Sequence, residues 1–330
     1  VPEREPPEPL HPNGDLPLDD PRRGERLQRV LADSGVASRR ACEALIEGGH
    51  VEVNGTMVTE LPVFVRDDDA ILVDGRPLRS RERRIYVMLN KPLRTVTTVQ
   101  DEPGLDRRTV MDLVDHPAGV RLFPVGRLDY ETTGLLLLTN DGDLANALTH
   151  PRFGLEKTYR VVVRGLLEDD EVAKIERGIY LADQKAAREA GKPVASRTAR
   201  VGVEIIKRDR DRTMLNLTLK EGRNRQVRRM LAAVGYPVRK LERIAIGPLK
   251  LKGLSRGAWR ELTREEVRTL REAVKRAKSG RPRGRKGRAS QEGVPDGSGG
   301  RASSRRSAGA SRKRPPGRAD TRRRGRSRES

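Results

Sequence analysis

The chain has 330 residues, 35% of them charged and only 3% aromatic, and carries a formal net charge of +22. That length allows two or three domains, and so basic a chain is expected to meet a polyanion, with nucleic acid the first candidate. It contains no apolar run of about eighteen residues that would cross a membrane as a helix, and a single cysteine, Cys42, excludes an internal disulfide or a cysteine-built zinc site.

The four histidines, His11, His50, His116 and His150, are scattered without metal-ligand spacing, so no metal is expected and the composition fits a reducing, cytoplasmic setting. The acidic, proline-rich start, VPEREPPEPLHPNGDLPLDD, lacks the apolar stretch of a signal peptide. Residues 1–24 are expected to be disordered. Residues 25–80 read as a small α/β module. Leu27, Val30 and Leu31 fall at helical spacing with Arg26 and Arg29 on the other face. Ser38 is an N-cap for a second short helix that Gly48 and Gly49 stop. HVEVNGTMV then predicts a hairpin turning at Asn54-Gly55, and VRDDDAILVDGRPL adds a strand and a turn. RERR, 81–84, reads as a charged linker.

Residues 85–277 form the larger domain. YVMLNKP and KTYRVVVRG are strand-like, and LEDDEVAKIERGI is a helix. GLLLLT is apolar without alternation, as in a strand covered on both faces. NDGD is a turn in which Asp143 caps the helix LANALTH. ARVGVEIIKRD and RTMLNLTLKEG alternate like neighbouring antiparallel strands. NRQVRRMLAAVG is a helix whose stripe is Val227, Met230, Leu231 and Val234, with Gly235 as its stop. Strands mixed with separate helices, without a regular βαβ rhythm, predict an α+β fold with a mixed or antiparallel sheet. No glycine-rich phosphate loop is present, so no nucleotide cofactor is expected. The tail, 278–330, is rich in Arg, Gly and Ser. From Ser279 onward it holds 17 Lys and Arg against 4 Asp and Glu. It is expected to be disordered and to tether RNA without specificity.

Within VGRLDYETTGLLLLTNDG the carboxylate of Asp129 precedes the leucine strand, in a loop where a rigid scaffold presents polar groups. By spacing alone it either caps and pairs with Arg127 or serves chemistry. Tyr159 opens a strand, as a half-buried strand tyrosine or as a phenol aimed into a cleft. On the helix NRQVRRML, Arg225 and Arg229 face away from the apolar stripe by helical angle. Arg228 lies about 100° from Val227, at the margin, placed to reach a cleft carboxylate or to bind phosphate. Arg29, Arg39 and Arg40 would make a compact basic patch on the small module, and Asn224 and Arg225 are further candidate RNA contacts.

These blocks resemble a known family. SRRACEALIEGGHVEVNG resembles the S4-like RNA-binding domain. VGRLDYETTGLLLLTNDGDLANALTHP, EKTYRV and EGRNRQVRRML, in that order, resemble the RsuA/RluB-type rRNA pseudouridine synthases, with the likeness running from about Glu25 to Leu270. LERIAIGPLKLKGLSRGAWRELT is more similar to the branch acting on large-subunit rRNA. The resemblance implies isomerisation of a uridine in ribosomal RNA by a monomer that needs no cofactor. It implies that Asp129 is the catalytic aspartate and that Tyr159 packs on the target base and takes part in proton transfer. It also implies that Arg228 pairs with the aspartate and that Arg127 precedes it in the motif. The target base would be flipped out, and a carboxylate would act as nucleophile or as base at the ribose. The segment 181–201 is longer than the family's short acidic turn, as a surface insertion touching RNA or a plain loop. The alternative from another class is a non-catalytic RNA-binding or ribosome-assembly protein, which would not need Asp129.

Overall fold

The computed structural model describes residues 16–279. In the small domain, helices Leu27–Asp33 and Arg39–Glu47 pack on a four-stranded antiparallel sheet ordered Thr56–Val58, Val51–Val53, Ile71–Val73, Arg76–Pro77. The Ser38 hydroxyl accepts the Ala41 N–H and starts the second helix, as expected. Asn54 and Gly55 both take positive φ, 53° and 79°, which a two-residue hairpin turn requires. Leu27, Leu31, Cys42, Ile46, Val51 and Val53 form the core.

Two expectations about the ends and the linker need correction. Residues 16–24 are not disordered, and the helical turn Pro21–Arg23 is tied down. Arg23 is buried, donating to the carbonyl of Phe64 and, at 2.8 Å, to the Asp69 carboxylate. Leu18 packs against the same core. A buried guanidinium must be paired to be tolerated, and its partners lie on the module it holds. Residues 1–15 and 280–330 lie outside the described residues, and so does the expectation placed on most of the tail. Lys278 ends the last helix, Arg264–Lys278, with its ammonium 5.2 Å from the centre of the Phe153 ring.

The 81–84 linker is a fixed seam. Arg84 donates to the Asn140 carbonyl at 2.9 Å and pairs with Asp33 at 3.2 Å, while Arg81 pairs with Glu25. The Asn140 amide accepts the Ile85 N–H and donates to the Arg83 carbonyl. Each charge of RERR that makes one of these contacts is spent between the two domains.

The large domain is α+β, built on a nine-stranded sheet. Its main path runs Gly202–Asp209, Arg212–Leu219, Lys157–Arg164, Val238–Ile246, Thr133–Thr139, Tyr86–Lys91, Trp259–Glu261. All pairings along the path are antiparallel except the contact of Val238–Ile246 with Thr133–Thr139, where Glu242 faces Thr133 and Arg243 faces Gly134. This parallel junction joins the two halves of the sheet. A Cβ on Gly134, whose φ is +103°, would stand 2.7 Å from the Arg243 nitrogen, so only glycine fits. Every residue of Thr133–Thr139 is buried, with Leu135 and Leu137 in one core and Leu136 and Leu138 in the other. The leucine run is therefore covered on both faces, as its lack of alternation predicts.

The next helix, Gly142–Thr149, is capped by Asp141, which accepts the Leu144 N–H, and not by Asp143. Asp141 also accepts from the Tyr86 hydroxyl at 2.7 Å and from Arg271 at 3.2 Å, linking sheet, cap and last helix. Burial and the bond to this carboxylate push the Tyr86 phenol up to about 12. Asp143 instead pairs with Arg29 across the seam at 2.5 Å.

The Arg23–Asp69 pair is expected to dominate the stability of the small domain. Asp69→Ala leaves a buried guanidinium without its carboxylate and should cost about 3–5 kcal/mol. Urea unfolding followed by far-UV circular dichroism measures it; an unchanged midpoint would contradict the anchoring of residues 16–24.

Candidate active site

The loop from Val125 to Thr132 leaves the leucine strand at the end where Lys91 terminates its neighbour. Lys91 closes the strand Tyr86–Lys91 directly after Asn90 and is fully buried. Its ammonium donates to the carbonyls of Pro92 (3.0 Å), Asp129 (3.2 Å) and Thr132 (2.9 Å). Other groups take the remaining carbonyls of the turn. Thr97 donates its hydroxyl to Leu128 at 2.8 Å, the Arg94 N–H donates to Tyr130 at 2.9 Å, and Arg228 donates to Glu131 at 2.8 Å. The Thr132 N–H closes the turn onto the Asp129 carbonyl. Every main-chain carbonyl from 128 to 132 is thus held, and the Asp129 side chain projects from a backbone with little freedom to shift. Burial pulls Lys91 down to about 8, against the attraction of Asp129.

Asp129 is partly exposed and lines a small cleft with Arg127, Tyr159, Arg225, Val227 and Leu241. Tyr159 packs against two cores, one around Val161 and Leu217 and one around Leu89 and Leu136, and presents its ring at the cleft wall. The strand Lys157–Arg164 that carries it is paired on both edges, to Arg212–Leu219 and Val238–Ile246, so the ring position is set by the middle of the sheet.

The cation nearest Asp129 is Arg225, at 3.9 Å, and it pairs more closely with Glu131, at 3.2 Å. This differs from the sequence reading, in which Arg225 faced away and Arg228 met the aspartate. The helix begins at Gln226, and Arg225 precedes it in a left-handed conformation, φ 46°. Helical angles do not apply to Arg225, and the left-handed turn swings its side chain toward the loop. Arg228 is directed to the Glu131 and Val238 carbonyls and lies 4.0 Å from the Glu131 carboxylate. Burial pulls Arg228 below the usual arginine range, while Glu131 and Asp129 oppose that. Its Nε is buried without a hydrogen-bond partner among the described residues.

The remaining candidates separate. Arg127 is exposed at the cleft rim, with no ion pair to Asp129 among the described residues. Arg39 and Arg40 are exposed on the second helix, and Arg39 shares a cleft with Arg121 of the large domain. Arg29 is not part of an open patch: Glu25, Asp33 and Asp143 surround its guanidinium, and it serves the seam. Asn224 lines a second cleft beside Arg223 and Arg229. Sequence reading missed Lys91, Thr97 and Glu131. The signal for Lys91 was present, since a lysine closing the apolar run YVML is costly unless it is used.

Comparison with known proteins gives the family. Residues 85–233 match the RNA pseudouridylate synthase family and residues 25–71 match the S4 domain. The Ribosomal large subunit pseudouridine synthase B of Bacillus subtilis is 44% identical over 75% of this chain and 96% of its own length. An uncharacterized RNA pseudouridine synthase of Aquifex aeolicus is 43% identical over 76% of this chain and 94% of its own. A solved structure described as a pseudouridylate synthase superposes with a TM-score of 0.51 at 31% identity, covering 75% of this chain and all of that one.

Lys91→Met should free the 128–132 turn, each deserted carbonyl costing about 1–3 kcal/mol. Faster amide hydrogen exchange over 128–132, with the small domain unchanged, is the expected result. The folded pKa of Lys91, about 8, lies below its ordinary value, so above it the unfolded chain holds the extra proton. The wild type should therefore gain stability relative to Lys91→Met as pH rises from about 8 toward 10, by up to about 1.4 kcal/mol per pH unit.

Proposed function

The chain belongs to the RNA pseudouridylate synthase family, and from that premise we propose that it isomerises a specific uridine to pseudouridine in large-subunit ribosomal RNA. The observation that carries this reading is the Asp129 carboxylate, fixed by a fully held turn and facing Tyr159 across a cleft edged by arginines. An isomerase of this kind must break the bond from uracil N1 to ribose C1′ and form one from C5 to C1′. The C5 proton is lost and N1 gains one, so the atoms balance without an oxidant or a co-substrate.

The chain's residues supply what each stage needs. The target base leaves its stack to enter the cleft, where the Tyr159 ring offers a flat apolar face. The Asp129 carboxylate acts at the ribose, as nucleophile at C1′ or as base, and it needs its charge to do either. Arg225 and Arg228 place positive charge on the side of the turn where the carboxylate sits. Uracil detached from the sugar stays between Tyr159 and the apolar wall of Val227 and Leu241 while it turns. Arg39 and Arg40 on the small domain, with Arg127 and Asn224 around the cleft, contact the RNA backbone.

One chain supplies both the RNA-binding module and the complete cleft, so we read the working unit as a monomer, acting in the cytoplasm where ribosomal RNA is assembled. No helix among the described residues is long and apolar enough to cross a membrane.

The test uses a large-subunit rRNA transcript carrying uridine tritiated at carbon five. Wild type should release tritium, because forming the carbon–carbon bond expels that hydrogen. Asp129→Asn should release none while binding the transcript as tightly as wild type. Release by both proteins would remove Asp129 from its role, and release by neither would favour an RNA binder without catalysis.

A further inference from the structure

The segment between the helix Asp169–Arg177 and the strand Gly202–Asp209 is built, not loose. Tyr180–Ala182 pairs antiparallel with Ala195–Arg197, and the helix Gln184–Ala190 crosses the tip of this hairpin. Asp183 caps that helix through the Ala186 N–H and accepts from the Ser196 hydroxyl at 2.9 Å, closing the hairpin on itself.

Two arginines from the arm that carries Arg225 and Arg228 clasp the hairpin. Arg223 donates to the Ser196 carbonyl (3.2 Å) and hydroxyl (2.7 Å) and to the Arg197 carbonyl (2.8 Å). Arg229 donates to the Ala182 carbonyl at 2.5 Å. Between hairpin and arm lies a second cleft, lined by Arg188, Arg223, Asn224 and Arg229 together with Asp183 and Glu189. Arg223 also lines the Asp129 cleft, so the two are neighbours along one surface.

The charge in this second cleft is open to a ligand. Arg229 is met by a neutral carbonyl, which takes one of its N–H groups and leaves its charge uncompensated. Arg223 gains only a long contact, 3.5 Å, to the Glu221 carboxylate. Arg188 and Asn224 have no hydrogen-bond or ion-pair partner among the described residues. The carboxylate of Asp183 is occupied by the hairpin's own donors. Planar guanidiniums with an amide beside them suit the forked oxygens of a phosphodiester.

We propose that the 180–197 hairpin and the 223–229 arm form a second RNA subsite that grips the backbone phosphate of the strand next to the nucleotide held at Asp129, with Arg188 as its exposed contact. This rests on the reading of the chain as an RNA isomerase and adds to it a determinant of which strand geometry the enzyme accepts. The hairpin then acts as a wall, held by Arg223 and Arg229, that guides the strand running past the catalytic cleft.

The experiment compares wild type, Arg188→Glu and Arg188→Lys in the full chain on the large-subunit rRNA transcript. Arg188→Glu should raise Kd on the order of tenfold and lower the slope of log affinity against log salt by about one, as for one lost phosphate contact. Arg188→Lys should recover most of both. Arg188→Cys carrying a tethered iron chelate then locates the contact, since the only native cysteine, Cys42, is fully buried. Strand cleavage beside the modified uridine supports the subsite. Wild-type affinity and salt slope in Arg188→Glu, or cleavage only at remote sites, would overturn it. Tritium release by wild type is followed on the same transcript. Its absence would sink the isomerase reading alone, because the binding comparison judges the subsite without catalysis.

Discussion

The Lys91 ammonium is the interaction on which the site depends. A charged amine with no exposed surface is costly to bury, and here three carbonyls around the Asp129 turn offset that cost. The arrangement serves in both directions. The carbonyls need donors because the turn folds over the end of a sheet and loses water, and the lysine needs acceptors because its strand is buried. The position of the Asp129 carboxylate in the cleft is thereby set through the backbone. The side chain of Asp129 is left with few partners of its own and stays available to a substrate.

The same economy governs the arginines. So basic a chain invites the assumption that its cations all face RNA, yet many of those near the two domains hold protein to protein. Arg23 fastens the entry segment, Arg29 and Arg84 lock the seam, Arg223 and Arg229 clasp the hairpin, and Arg228 supports the Asp129 turn. A guanidinium suits this work because its donors lie in a rigid fork and it stays charged when partly buried. Arg39, Arg40, Arg127 and Arg188 are among the cations that keep exposed faces, and they lie around the seam and the two clefts.

Much of this architecture was legible in the residues. The helix cap at Ser38, the Asn54-Gly55 turn, the doubly covered leucine strand and the alternating pair 202–209 and 212–219 follow from local rules that tertiary packing did not override. What escaped was set by contacts distant in sequence. Asp141 and Asp143 are both able to cap the helix after the leucine strand. Packing decides between them, because Tyr86 and Arg271 converge on Asp141 while Arg29 draws Asp143 across the seam. Residues 16–24 look disordered by composition, and one buried pair to Asp69, 46 residues from Arg23, orders them.

Arg225 shows the same limit at the site itself. A helical wheel assumes that the helix has begun, and the wheel's geometry fails one residue before it does. A non-glycine residue at positive φ costs of order 1–3 kcal/mol and persists only where its surroundings over-determine it. Those surroundings are present. On one side the Arg223 clasp holds the chain against the hairpin, and on the other the helix is fixed by Val227, Met230 and Leu231 in the core. Between these two restraints the chain must turn within Asn224 and Arg225. The left-handed turn delivers one side chain to each cleft, Arg225 toward Asp129 and Asn224 into the hairpin cleft. The strained residue thus stands where the Asp129 cleft and the hairpin cleft adjoin.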